Sequence, residues 1–313
     1  MKQQKRMPWA KRSAKNLRPY VPEVRAEAVR DFHEHYPRIR LAPVVVVIAA
    51  YAEEECIGGV LEAIPREACG LRVETIVVDD GSADRTAEVA RGHGVYVARL
   101  ERNCGHGVAL RLGYELAREH GARYIVTLDA DGQWDPLEIP RVLAPVVEGE
   151  ADFVIGSRVL GRTETDDSFR QAGVHVFAAL VRLLTGVNVT DTSSGFRALR
   201  AEVTGNVRQT QVQYQSSELL IGAIYRGYRI AERPVVMHKR TAGFSKKGHN
   251  LLYGFRYMRV IVGTWWRERR GRLARPAVAV APAALEEAIV EPAEDGREPS
   301  AQARSEARAR ARS

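Results

Sequence analysis

The sequence is poor in cysteine: Cys56, Cys69 and Cys104 are the only three in 313 residues. They form no CxxC pair and no metal-ligand spacing, so neither a disulfide framework nor a thiolate metal centre is expected, and a reducing cytoplasm is. No apolar run reaches the roughly 18 residues of a spanning helix. The N-terminus is basic but lacks the apolar stretch of a secretory leader. Acidic residues are in deficit, 39 against 47 basic, for a net charge of +8. That balance implies an anionic partner, whether nucleic acid, nucleotide-sugar or anionic membrane surface. Nucleic acid is set aside, because the basic tails come with no recognition fold and no aromatic platform.

What the chain does have is centred on Tyr124-Ile-Val-Thr-Leu-Asp129-Ala130-Asp131-Gly-Gln133. An aliphatic, β-branched run feeding a polar loop is the build of a buried parallel strand, and ligands of such sheets bind beyond the carboxyl ends of the strands. Alternation along an extended backbone sends Asp129 and Asp131 to one side, where two hard oxygen donors suit Mg²⁺ or Mn²⁺. A plain turn after a strand reads the same way in isolation.

Around this stretch, strands are predicted at Val44–Ala50, Val73–Asp80, Val95–Leu100, Phe153–Arg158 and Arg229–Met237. Helical patterns lie between them, which argues for a doubly wound α/β domain with a mostly parallel sheet. Four segments are expected: a basic, largely irregular arm over 1–40, with a short helix at Glu23–His35; the α/β domain over 41–248; an amphipathic interfacial helix over 249–274; and a disordered Ala/Glu/Arg/Pro tail over 275–313. The third segment is aromatic and flanked by Arg267, Arg269, Arg270 and Arg272.

Several short motifs occur in order: Ala50-Tyr51-x-Glu53, Val-Asp79-Asp80-Gly-Ser, Asn-x-Gly105-x-Gly107-x-Ala, Asp129-x-Asp131-Gly-Gln133, Gly-Ser-Arg158, Asp191-x-x-Ser-Gly-Phe-Arg197 and Arg240-x-x-Gly-x-Ser245-Lys246. Together they resemble family 2 glycosyltransferases of the GT-A fold, and within that family the dolichyl- or polyprenyl-phosphate sugar synthases. The resemblance implies that Ala50, Tyr51 and Glu53 lie against the nucleotide. It implies that Asp79 and Asp80 hold base and ribose, and that Gly105 and Gly107 allow close backbone approach there. Asp129, Asp131 and Gln133 match the metal-binding run, with Ala130 between them on the donor. Arg158 and Arg170 match positions that grip the acceptor phosphate, and Arg240, Ser245 and Lys246 a motif near the diphosphate. Two positions depart from the family: Ala52 replaces an asparagine, and Val174 replaces a serine four residues after Arg170.

The expected reaction is metal-dependent, inverting transfer from a nucleotide-sugar of the GDP-mannose or UDP-glucose type to a lipid phosphate, peripherally at the inner face of the cell membrane. An ionised phosphate oxygen needs no strong base. A hydroxyl acceptor, the alternative, requires one, with Glu218 the first candidate and Asp191 the second. Glu218 in Ser-Ser-Glu also reads as a helix cap.

Overall fold

The computed structural model describes residues 22–164, 168–240 and 250–273, with backbone alone at 168–170, 250–253 and 272–273. In chain order the elements are α1 (Pro22–His35), β1 (Val44–Ala50), α2 (Ile57–Ala63), β2 (Glu67–Ala68), β3 (Leu71–Asp79), α3 (Thr86–Gly92), β4 (Tyr96–Arg99), α4 (His106–Glu119) and β5 (Tyr124–Asp129). There follow α5 (Ile139–Val147), β6 (Phe153–Thr163), α6 (Ser168–Thr185), β7 (Arg197–Arg200), α7 (Ala201–Asn206), α8 (Gln215–Tyr225), β8 (Ile230–Met237) and α9 (Asn250–Leu273).

The sheet runs β2-β3-β1-β5-β7-β6-β8, with β4 added on β3. Every residue of β1 is buried, as an unbroken Val/Ile/Ala run requires of a strand covered on both faces. Its side chains alternate: Val45, Val47 and Ala49 join the core under α1 and α4, while Val44, Val46 and Ile48 join the core under α2 and α5. Parallel pairing aligns the strand tips, with Ala50 opposite Asp79 and Ala49 opposite Asp129. The acidic ends of β3 and β5 therefore flank the tip of β1 on one edge.

The sheet is mixed. β7 lies between β5 and β6 and runs antiparallel to both; four residues carry no periodicity that distinguishes the two directions.

The short helix expected at Glu23–His35 within the basic arm is present as α1. α1 buries Val24, Ala28 and Phe32 in the core beside α4, so this helix belongs to the α/β domain. Its apolar residues at four-residue spacing form one helical stripe. α9 also packs on the domain, burying Tyr257, Ile261 and Thr264. Its other side exposes Phe255, Met258, Val262 and Trp266. No helix among the described residues is long and apolar enough to cross a membrane.

Candidate active site

The loop after β1 hangs from the loop after β3. Ala52 N–H donates to Ser82 Oγ and Glu53 N–H to Thr86 Oγ1, both at 2.9 Å. Ala52 has φ +53°, a left-handed conformation that costs an ordinary side chain about 1–2 kcal/mol and that asparagine tolerates better. The asparagine this chain lacks is thus the residue its backbone favours.

Asp79 and Asp80 turn inward. Asp79 accepts from the Ser82 N–H and hydroxyl and pairs with Arg99 at 3.1 Å. Asp80 accepts the Cys104 and Gly105 N–H groups at 2.7 and 2.8 Å. Burial raises both carboxyl pKa values, Asp80 to about 7, against the pull of those donors. In this structure both carboxylates are buried and hold the loops at the strand tip. Gly105, at φ +104° and ψ 148°, caps α4 in a conformation that needs glycine. Gly107 also lies close to backbone. A Cβ there would strike the Gln211 carbonyl, and its N–H donates to Val212 O at 2.8 Å.

Asp129 and Asp131 stand at the end of β5 as expected. Trp134 Nε1 donates to Asp129 at 3.0 Å, and the Asp129 carboxylate packs so tightly on Gly195 that no Cβ fits there. Arg240 pairs with Asp131 and lies 3.7 Å from Glu53. Its buried Nη1 makes no hydrogen bond among the described residues. Burial first, then the Asp129 charge, push the Asp131 pKa upward. The Gln133 side chain donates to His238 O at 3.3 Å.

A second group of side chains adjoins the first through Trp134. The Arg158 guanidinium lies 5.6 Å from that ring's centroid. Its fork donates to Asp191 at 2.6 and 2.9 Å and to Ser193 Oγ at 2.8 Å. Burial is the largest influence on the Arg158 pKa and lowers it, but the Asp191 charge and hydrogen bonds, with Tyr257 and Asp129, together outweigh it and the net shift is upward. Arg197, fully enclosed, donates to the carbonyls of Ser194, Ser216 and Thr192 and so knots the 191–197 loop to α8. Tyr257 of α9 reaches the same loop, donating to Thr192 O at 3.1 Å and contacting Ser217 Oγ. The Arg170 side chain, Ser245 and Lys246 lie outside the described residues.

Glu218 is not placed as a base. Its carboxylate is fully buried and accepts from Thr210 N–H (2.8 Å), Thr210 Oγ1 (2.9 Å), Gln211 N–H (2.9 Å) and Arg267 Nη1 (2.8 Å). It ties the 208–211 loop to α9, and Arg267, expected among the surface arginines, turns inward to meet it. Neither the base nor the cap reading describes this. Glu218→Gln is expected to lower the melting temperature while leaving kcat within about threefold; a general base would lose roughly 10²–10⁴-fold. Steady-state kinetics beside thermal unfolding decides between them.

Sequence reasoning also missed Trp134, which joins the two groups. Its place directly after Asp-x-Asp-Gly-Gln was the available signal, since a buried Trp N–H needs an acceptor nearby.

A mixed sheet with acidic strand tips on one edge and arginines gathered over them defines a glycosyltransferase of the GT-A architecture. The glucosyl-3-phosphoglycerate synthase of Mycobacterium tuberculosis, solved with Mn²⁺, UDP-glucose and phosphoglyceric acid, shares this fold: TM-score 0.58 and 20% identity over 80% of this chain and 85% of that one. The chain belongs to glycosyl transferase family 2, which matches residues 45–208. It is 38% identical to the dolichyl-phosphate hexose transferase of Haloferax volcanii, over 63% of this chain and 83% of that protein. It is 32% identical to the polyprenol monophosphomannose synthase of Mycolicibacterium smegmatis, over 66% and 82%.

Proposed function

We propose that this glycosyltransferase moves a sugar from a nucleoside diphosphate donor to a polyprenyl phosphate, with inversion, at a membrane surface. The observation that carries this reading is the pairing of two charge-complementary groups across Trp134. Asp129, Asp131 and Glu53 gather on one side, and the Arg158 fork lies on the other. The names of the two relatives, both acting on lipid phosphates, support the acceptor class.

The residues fit a divalent cation. The donor set is all oxygen, led by two carboxylates, and positive charge is already drawn to it in Arg240, whose buried Nη1 makes no hydrogen bond among the described residues. Asp129 and Asp131 would hold Mg²⁺ or Mn²⁺, with Gln133 after its side chain leaves His238. The ion would supply charge neutralisation to the departing diphosphate. Arg240, released from Asp131, would then turn its donors toward phosphate oxygens. Ala50, Tyr51, Glu53 and Ala130 flank the nucleotide in this reading, and the loops held by Asp79 and Asp80 shape its pocket. Arg158 presents the acceptor phosphate, whose oxygen attacks without a base. That matters here, because the two carboxylates a hydroxyl acceptor would call on, Glu218 and Asp191, are both engaged with arginine.

Attachment to the surface rests on α9. Phe255, Met258, Val262 and Trp266 are exposed along one side, flanked by Arg256, Arg259, Arg269 and Arg270, with the Arg270 guanidinium 4.5 Å from the Trp266 ring centroid. Apolar bulk rimmed by arginine suits the headgroup boundary of anionic lipid. Removing α9 would strip Tyr257 and Ile261 from the core, so surface substitution is the cleaner probe. Phe255→Ser/Val262→Ser/Trp266→Ser is expected to weaken sedimentation with anionic liposomes by about tenfold or more. Unchanged binding would detach α9 from the membrane.

The reaction itself is tested with GDP-mannose, UDP-glucose and UDP-GlcNAc, each with Mn²⁺ and with or without a polyprenyl phosphate. Lipid-stimulated turnover of one donor is expected. Donor turnover indifferent to the lipid would leave the family standing and move the acceptor to a hydroxyl.

A further inference from the structure

A group of metal-ligating side chains lies far from this chemistry. α4 starts at the catalytic edge and is 14 residues long, so its far end is about 20 Å away. There Glu119 and His120 meet His33 of α1, and one ligand atom from each lies within 4.8 Å of the others.

Three observations point to an ion. His33 Nε2 and His120 Nε2 are both shielded from solvent, and neither has a hydrogen-bond partner among the described residues. Buried imidazole nitrogens ordinarily find one. His120 Nδ1 faces the Ile39 carbonyl at 3.3 Å; donating there fixes the tautomer that leaves Nε2 a lone pair, as the outer partner of a ligating histidine does. His33 Nε2 is 3.3 Å from Glu119 Oε1, yet the pair does not form a hydrogen bond. That spacing matches the edge of a tetrahedron with bonds of about 2.0–2.1 Å, which is roughly 3.3–3.4 Å.

We propose that His33, Glu119 and His120 bind Zn²⁺, with water as the fourth ligand on the exposed Glu119 side. Two neutral imidazoles and a carboxylate select zinc over Mg²⁺ and Mn²⁺, which prefer oxygen donors alone. The ion clamps α1 to α4 beside the Arg25–Glu115 ion pair that joins the same two helices. It acts on the fold rather than on the sugar transfer, and the site is independent of the acceptor and donor assigned above.

The test is equilibrium dialysis of the full chain against Zn²⁺ in excess Mg²⁺, with thermal unfolding alongside. One Zn²⁺ per chain is expected. It should persist in Asp129→Asn/Asp131→Asn, and it should raise the melting temperature of that variant. His33→Ala/His120→Ala should weaken binding at least 100-fold, and Glu119→Gln by about 10–100-fold. Because Glu119 is exposed, its variant keeps the question answerable if the double histidine variant does not fold. Failure to take up one ion per chain, uptake unaffected by Glu119→Gln, or uptake lost only in the Asp129→Asn/Asp131→Asn variant overturns the proposal.

Discussion

Asp131→Ala is expected to cut sugar transfer by about 10³-fold or more, the upper range for losing a preorganised electrostatic partner of the reacting group. The carboxylate is nearly enclosed and shares the strand tip with Asp129, while Arg240 and Glu53 close around it. Alanine leaves Arg240 with Glu53 alone and removes one of the two carboxylates proposed to hold the ion. The fold should survive, because burial and the Asp129 charge already oppose the Asp131 charge and Arg240 keeps Glu53 as a neighbouring carboxylate. Turnover measured with Mn²⁺, beside a melting curve, separates loss of function from loss of structure. Chelation of the wild-type chain should produce the same deficit, reversed by adding Mn²⁺. Near-normal turnover in the variant would remove the cation from the reading.

Arg158→Ala should damage stability as well as activity. Arg158 is 16% exposed and Asp191 not at all, and truncating one partner of a buried pair leaves the other charge desolvated, at a cost of about 3–5 kcal/mol. For a domain of this size the melting temperature would fall on the order of 10 °C. Asp191 is also bonded to Ser193 N–H, so the 191–197 loop loosens with it. Arg158→Lys keeps a charge but lacks the bidentate fork, and is expected to recover part of the stability and little of the transfer. The double variant Arg158→Ala/Asp191→Asn removes both charges and should melt above Arg158→Ala alone. If Arg158→Ala melts like the wild type, the pair is not the pillar described here.

Much of the fold was legible because single residues decide it. A seven-residue aliphatic run such as β1 has no stable place except a sheet interior, and Asp129 and Asp131 follow such a run directly. What the sequence concealed depends on partners distant along the chain. Glu218 looks the same whether it serves as base or as anchor, and the anchor reading requires Arg267, 49 residues on. Asp80 gave no sign that it would spend its oxygens on the Cys104 and Gly105 N–H groups. Gly107 gave no sign that the backbone of residues 211–212 would press against it. The helix at α1 was legible, but a stripe of three apolar residues gave no sign that it would dock in the domain core. Arg197 stood in plain view within its motif, yet its role as a threefold carbonyl clamp needed the folded loop.

Tyr257 gives the molecule a property that neither half of the cleft has alone. One face of α9 meets solvent with Phe255 and Trp266, while from the other Tyr257 donates to Thr192 O, next to the aspartate that grips Arg158. On the proposed reading, a displacement of α9 at a lipid surface would be felt in the 191–197 loop beside Arg158, and by thermodynamic reciprocity the acceptor would alter the grip of α9 on lipid by the same factor. An enzyme so coupled would be at its most competent only where its acceptor is anchored, which would confine the use of an activated sugar to the membrane and spare it in bulk water.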